Sequence, residues 1–196
     1  MKYISLLRHG VTASNATFPG PNTKLTPLGW QQMGTRLEQL SGVQFVISSP
    51  YARCEEFARQ AASQHDIKWK TDARIAEFNV GEWTDKPTAE LMQLTEFNRF
   101  SAQPFRADHD CLPAGSESFT QFSNRILAAL HDIQLSHHEH TLLITHGGVI
   151  RFILLHVLKA PLEAWYKLRV EFGSLTRLCM ADDGWLEILH HQGEKP

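Results

Sequence analysis

The chain has 196 residues, enough to bury a real core, and its 42% hydrophobic and 20% charged residues are ordinary for a globular protein. A formal net charge of −2 excludes a broad basic surface, so no nucleic-acid or membrane partner is expected, and affinity for an anion must come from a local cluster of positive charge. The three cysteines, Cys54, Cys111 and Cys179, lack CxxC spacing, which argues against a disulfide framework or zinc knuckle and fits a cytoplasmic setting.

The apolar run Tyr3 to Leu7 predicts a short buried strand ending at Arg8-His9-Gly10. It is too short for a signal-peptide core or a membrane span, and no later stretch approaches the ~18 apolar residues that a span needs. Pro19, Gly20, Pro21 and Asn22 break the chain. Thr26 as N-cap and Pro27 at the first helical position start a helix with Met33, Leu37 and Leu40 on one face. Phe45 to Ile47 is a second strand, ending at Ser48-Ser49-Pro50, and the following helix carries Arg53, Phe57 and Ala61. Ile67 to Lys70 alternates as a third strand. Residues 71 to 117 hold Pro87, Pro104 and a Pro113-Ala114-Gly115 turn, and read as an irregular insertion with short helices around Thr88 to Leu94. Ser118 and Gln121 predict a capping box for a long helix with Phe119, Phe122, Ile126, Leu130 and Ile133 on its apolar face. Thr141 to Thr145 is a strand core ending at His146-Gly147-Gly148, which opens a helix to Leu158. The C-terminus reads as a hairpin, Leu175 to Ala181 and Trp185 to His190, turning at Asp182-Asp183-Gly184.

Strands alternating with helices predict an α/β fold, a three-layer α/β/α sandwich with a mostly parallel sheet, as a single domain over residues 1–196. In such sheets ligands sit outside the carboxyl ends of the strands. Arg8 and His9 end the first strand, Arg53 follows the second, and His146 ends the strand before the last long helix. That set suits phosphoryl transfer, whose loose transition state spreads charge over three oxygens and needs fixed positive donors. Arg8 and Arg53 supply guanidinium forks, Gly147-Gly148 supplies backbone N–H groups at a helix start, and His146 supplies a ring N–H. Neighbouring arginines disfavour the charged form of His9 and leave it a neutral nucleophile. Glu77 is the candidate proton donor to the leaving group. Each of these short motifs alone reads as an ordinary loop or cap; the case lies in their joint placement.

The combination resembles the histidine phosphatase superfamily, in its phosphoglycerate mutase-like branch. The matching pieces are Leu7-Arg8-His9-Gly10 with Thr12 and Asn15, Leu25-Thr26 with Gly29, Ser48-Ser49-Pro50 with Arg53-Cys54, Glu77 with Gly81 and Trp83, Gly115 with Glu117-Ser118, and Thr145-His146-Gly147-Gly148. The resemblance implies that His9 is phosphorylated, and that Arg8, Arg53 and His146 hold the phosphoryl oxygens. It further implies that Asn15 and the Gly147 backbone support them, that Glu77 is general acid and then base, and that no metal or organic cofactor is used. Within the superfamily, Arg53-Cys54 with Phe57-Ala58, the stretch Glu77 to Trp83, Asn98-Arg99-Phe100 and the Leu112 to Ser118 turn are most similar to alpha-ribazole phosphatases, which implies hydrolysis of alpha-ribazole 5′-phosphate in cobalamin nucleotide-loop assembly. A broad-specificity or sugar-phosphate phosphatase is the alternative. A mutase is expected less, because the stretch between Glu77 and His146 is short, and a non-catalytic phosphate-binding protein least. The partner is therefore a small-molecule phosphomonoester, with a homodimer left open. Val11, Asn79, Thr84-Asp85 and Ser116 depart from the family's usual residues near the mouth of the site.

Two further clusters have two readings each. His137, His138 and His140 are a metal site or a solvated loop, and no standard ligand spacing favours the metal. Trp83, Phe97, Phe100 and Phe105 form an aromatic wall for a flat ring or pack the insertion onto the sheet.

Overall fold

The computed structural model describes residues 1–102 and 112–192. Six strands, β1 (Lys2–Arg8), β2 (Phe45–Ser48), β3 (Lys68–Thr71), β4 (His140–Thr145), β5 (Leu175–Met180) and β6 (Leu186–Gln192), form one sheet in the order β3-β2-β4-β1-β5-β6. The first four in that order run parallel, and β5 and β6 add an antiparallel hairpin beside β1. Helices α1 (Pro27–Leu37) and α2 (Ala52–Gln64) cover one face; α5 (Phe119–Leu135) and α6 (Gly147–Val157) cover the other. This is the α/β sandwich that the sequence predicts.

The period of two in the strands decides the layering. Leu7, Val46, Leu142 and Ile144 join Met33, Phe57 and Ala61 on the α1–α2 side. Their neighbours Leu6, Ile47 and Leu143 join Phe122, Ile126, Ile150 and Ile153 on the α5–α6 side. Each large aliphatic or aromatic side chain among them contributes about 1.5–3 kcal/mol when fully buried. The helix starts follow the predicted chemistry: Thr26 Oγ1 accepts the Gly29 N–H, and Ser118 with Gln121 forms the reciprocal capping box.

The segment after β3 is more regular than its prolines suggest. It contains 3₁₀ turns at Ala73–Ile75 and Gly81–Trp83, helix α3 (Thr88–Leu91) and helix α4 (Thr95–Ala102). Sequence reading missed α4, whose Phe97 and Phe100, one turn apart, pack into the same apolar cluster as Ile75, Trp83 and Leu91. Pro104, Phe105 and Cys111 lie outside the described residues.

Register positions the site. Arg8 pairs with Thr145 across β1 and β4, and Ser48 with Ile144 across β2 and β4. The ladder then runs one step past the strands, with His9 N–H donating to Thr145 O (2.9 Å) and Ser49 N–H to Ile144 O (2.9 Å). His9, Ser49 and His146 therefore emerge together just past the carboxyl ends of β1, β2 and β4.

The chain after Glu77 is strapped to the turn before α5. Val80 bridges Ser116, Glu117 N–H donates to Asn79 O (3.0 Å), and the Asn79 side chain donates to Gly115 O (2.9 Å). Gly81 makes this crossing possible: its φ is +53°, and a Cβ there would lie 2.1 Å from the Ala114 carbonyl oxygen. Gly81→Ala is therefore expected to cost more than about 2 kcal/mol in chemical denaturation, from the left-handed backbone plus the clash. Gly42→Ala, at φ +72° in open space, is expected to cost only about 1 kcal/mol. Equal costs at the two positions would contradict this account.

Candidate active site

His9 is 5% exposed and fixed by its own backbone, its Nδ1 lying 2.9 Å from the Gly10 carbonyl oxygen. A carbonyl only accepts, so Nδ1 carries the hydrogen and Nε2 is left with a free lone pair. Burial, then the positive charges of Arg53 and Arg8, hold the ring's pKa well below the ordinary histidine range, so the imidazole is neutral.

The two arginines arrive from different layers. Arg8, at the end of β1, donates from Nη1 to Val170 O (2.6 Å), and its guanidinium lies 3.9 Å from the centre of the Phe172 ring. Burial pushes its pKa down to about 10, with Glu77 acting against the shift. Arg53, in the first turn of α2, is 2% exposed; its Nη1 donates to Gly20 O (2.8 Å) and its guanidinium sits 4.8 Å from the Tyr51 ring centre. Asp85, one of the departures noted above, accepts the Gly20 N–H (2.7 Å) and so steadies the loop that holds Arg53.

His146 is fully buried beneath the pocket floor, with its ring centre 5.2 Å from that of His9. Its Nε2 is 2.7 Å from Ser49 Oγ, and Ser49 Oγ already accepts the Tyr51 N–H. A hydroxyl has one hydrogen and two lone pairs, and the contact fits the Ser49 hydroxyl donating to Nε2, in which case the ring hydrogen is on Nδ1. That Nδ1, Arg8 Nε and Arg53 Nε are buried and have no hydrogen-bond partner among the described residues. Buried donors of this kind are costly unless something accepts from them, and an anion at His9 is a suitable acceptor.

Glu77 lines the same pocket as His9, Arg8 and Arg53, a cavity of about 330 Å³ in which it is the only carboxylate among the described lining residues. Its Oε2 accepts the Gly148 N–H at the start of α6 (3.2 Å), and its Oε1 accepts the Phe78 N–H (3.1 Å). The approach requires glycine, because a Cβ on Gly148 would fall 2.3 Å from Oε1. Gly147 also lines the pocket. Cys54, 3.8 Å from His146 Nε2, has its pKa pushed up to about 12 by burial and stays a thiol.

Asn15 is not brought in. It is exposed, and although Ser14 and Ala16 line the pocket, Asn15 does not. Ala16 bridges Pro87 and the Asn15 carbonyl accepts from Thr88 Oγ1, which turns this residue outward. The histidine cluster is also split: His140 turns inward to Ser5 Oγ (2.9 Å) and Ser41 O (3.1 Å), while His138 stacks on Phe45. Of the aromatic cluster, Phe97 and Phe100 line the pocket, whereas Trp83, 3% exposed, packs behind against Phe18. Sequence reading missed Phe172, Ser49, Phe18 and Arg151 as site residues. Ser49 stood at a strand end inside a quoted motif; Phe172 and Arg151 carried no positional signal.

No helix among the described residues is long and apolar enough to cross a membrane. Comparison with known proteins agrees with the geometry. The chain is 29% identical over 176 residues to an adenosylcobalamin/alpha-ribazole phosphatase of Escherichia coli K12, covering 86% of this chain and 85% of that one. It is 28% identical over 192 residues to the protein named probable phosphoglycerate mutase GpmB of Yersinia pestis (strain Pestoides F), covering 95% and 88%. Its fold matches that of Bacillus stearothermophilus YhfR with a TM-score of 0.84 and 25% identity over 96% of each chain. The family profile described as histidine phosphatase superfamily, branch 1, matches residues 4–192, and the chain belongs to that superfamily.

Proposed function

We propose that the protein is a phosphomonoesterase that works through a phosphohistidine at His9. The carrying observation is the His9 ring itself, neutral, with its Nδ1 hydrogen committed to Gly10 and its Nε2 free among buried guanidiniums. Nε2 attacks phosphorus as the ester P–O bond breaks, and protonated Glu77 gives its hydrogen to the departing alkoxide. Water then attacks the phosphohistidine, Glu77 takes the proton from it, and the N–P bond breaks to return neutral His9. Arg8, Arg53, the Gly147 backbone and His146 Nδ1–H stabilise the equatorial oxygens throughout. Positive charge is thus supplied by side chains, and the reaction is read as metal-independent.

The proposed substrate is alpha-ribazole 5′-phosphate, in assembly of the cobalamin nucleotide loop. What supports it is the name of the E. coli relative together with a pocket walled by Phe18, Phe97, Phe100 and Phe172, which suits a flat apolar leaving group. A second reading, a phosphatase for a sugar phosphate or another ester with a second anionic group, is favoured by Arg151. That residue lines the pocket, with its Nε donating to Leu168 O (2.9 Å).

Phosphate release from p-nitrophenyl phosphate is expected to fall at least roughly a thousandfold in His9→Ala and to be untouched by a chelator. Undiminished turnover in the variant would overturn the nucleophile; loss on chelation, restored by zinc, would overturn the metal-free reading. Among substrates, alpha-ribazole 5′-phosphate is expected to give a higher kcat/KM than sugar phosphates or phosphoglycerates; the reverse order would favour the second reading.

The neutral rings also set the pH dependence of stability. His9 and His146 are both held below the ordinary histidine value by burial, then Arg53, and then other nearby positive charges. As pH falls through about 6.5 the unfolded chain binds protons that the native state refuses, so stability drops, by up to about 2 kcal/mol per ring at pH 5. Urea denaturation at pH 7 and pH 5 should show this drop, and His9→Gln/His146→Gln should show less of it. An unchanged drop in the double variant would mean that the rings are not held neutral.

A further inference from the structure

We infer that Arg125, held by Glu117, is a positioning residue that sets the location of Glu77 without touching substrate. The inference rests on the reading of Glu77 as the general acid. Arg125 lies in α5, outside the pocket lining. All five of its N–H groups are engaged. Nη1 donates to the carbonyls of Arg74 (2.7 Å) and Ala76 (2.8 Å); Nη2 donates to the carbonyl of Glu77 (3.0 Å) and to Glu117 Oε1 (2.6 Å); Nε donates to Glu117 Oε2 (2.8 Å). The remaining carbonyl of the stretch, Ile75 O, accepts from Thr145 Oγ1 (2.7 Å), the residue just before His146.

Four successive carbonyls, 74 to 77, are therefore held by two side chains. After the 3₁₀ turn ends at Ile75, the acid-bearing chain has neither helix nor strand to fix it. Backbone groups in such a segment must find partners elsewhere, and whichever groups supply them dictate its path. Here one guanidinium fork reads the backbone on both sides of Glu77, and the Glu117 carboxylate fixes the fork while also accepting the Asn79 N–H (2.8 Å). The tolerance at the far end is small. The Glu77 carboxylate is wedged against Gly148, where even a methyl group would collide, so a shift of the backbone is passed to the carboxyl oxygens. A lysine offers three donors from a single point and cannot span these acceptors.

A structural staple alone would slow every substrate alike; a positioner of the acid slows those whose leaving group needs a proton. The test is kcat/KM, which reports the steps up to alcohol release, for benzyl phosphate and p-nitrophenyl phosphate. The benzyl alkoxide needs a proton as it leaves, whereas p-nitrophenolate does not. For Arg125→Lys the expected loss is roughly a hundredfold on benzyl phosphate and less than about threefold on p-nitrophenyl phosphate. In a Glu77→Gln background, Arg125→Lys should add no further loss on benzyl phosphate, because the two act as one unit. If Arg125→Lys does not fold, Arg125→Met/Glu117→Met, which leaves neither charge unpaired, serves for the same comparison. Equal losses on the two esters, or a full additional loss in the Glu77→Gln background, would overturn the inference. Glu77→Gln losing equally on both esters would overturn the acid assignment itself, and with it the role given to Arg125.

Discussion

The His9 ring gives its Nδ1 hydrogen to the Gly10 carbonyl, and that bond decides which nitrogen is available to a substrate. The register that pairs Arg8 with Thr145 carries β1 out beside β4 and β2 and so sets where that ring stands. Once the ring is fixed, the electrostatics are nearly determined. Two guanidiniums enter from either side, burial strips their water, and the only carboxylate on the described pocket wall is Glu77. A ring in such surroundings stays neutral at a pH where a free histidine begins to charge.

Concentrating positive charge this way costs stability, and the structure shows how the cost is moderated. Arg8 lies over Phe172 and Arg53 over Tyr51, so aromatic faces replace part of the lost hydration. One terminal nitrogen of each guanidinium is anchored on a main-chain carbonyl, Val170 for Arg8 and Gly20 for Arg53. Arg8 Nε, Arg53 Nε and His146 Nδ1 are buried and without a hydrogen-bond partner among the described residues. On the proposed reading these donors are kept unpaired within the protein because the transferred phosphoryl group is their partner. Preorganised donors need no rearrangement at the moment of reaction.

The layers and the strand-end placement of the candidate site residues were legible because both depend on local signals. Apolar strand runs, the Thr26 and Ser118 caps and the strand-end position of Arg8, His9, Arg53 and His146 are all readable within a few residues. Helix α4 was missed because Pro87, Pro104 and Pro113 dominate the composition around two phenylalanines spaced at one helical turn. Asn15 was assigned by resemblance alone, and the bridge from Ala16 to Pro87, which turns it outward, links segments far apart in sequence. Arg125 and Glu77 show the same limit more sharply. They are joined by a side-chain-to-backbone bond across 48 residues, which leaves no periodicity or spacing to read.

The central claim is a covalent bond between phosphorus and Nε2 of His9, and it can be observed directly. The enzyme is mixed with a phosphomonoester, quenched in alkali during turnover, where phosphohistidine survives, and digested for mass spectrometry. The account predicts a phosphoryl adduct on the peptide containing His9, appearing and decaying with turnover and absent in His9→Ala. A fully active enzyme that never carries the adduct, or carries it on another residue, would contradict it.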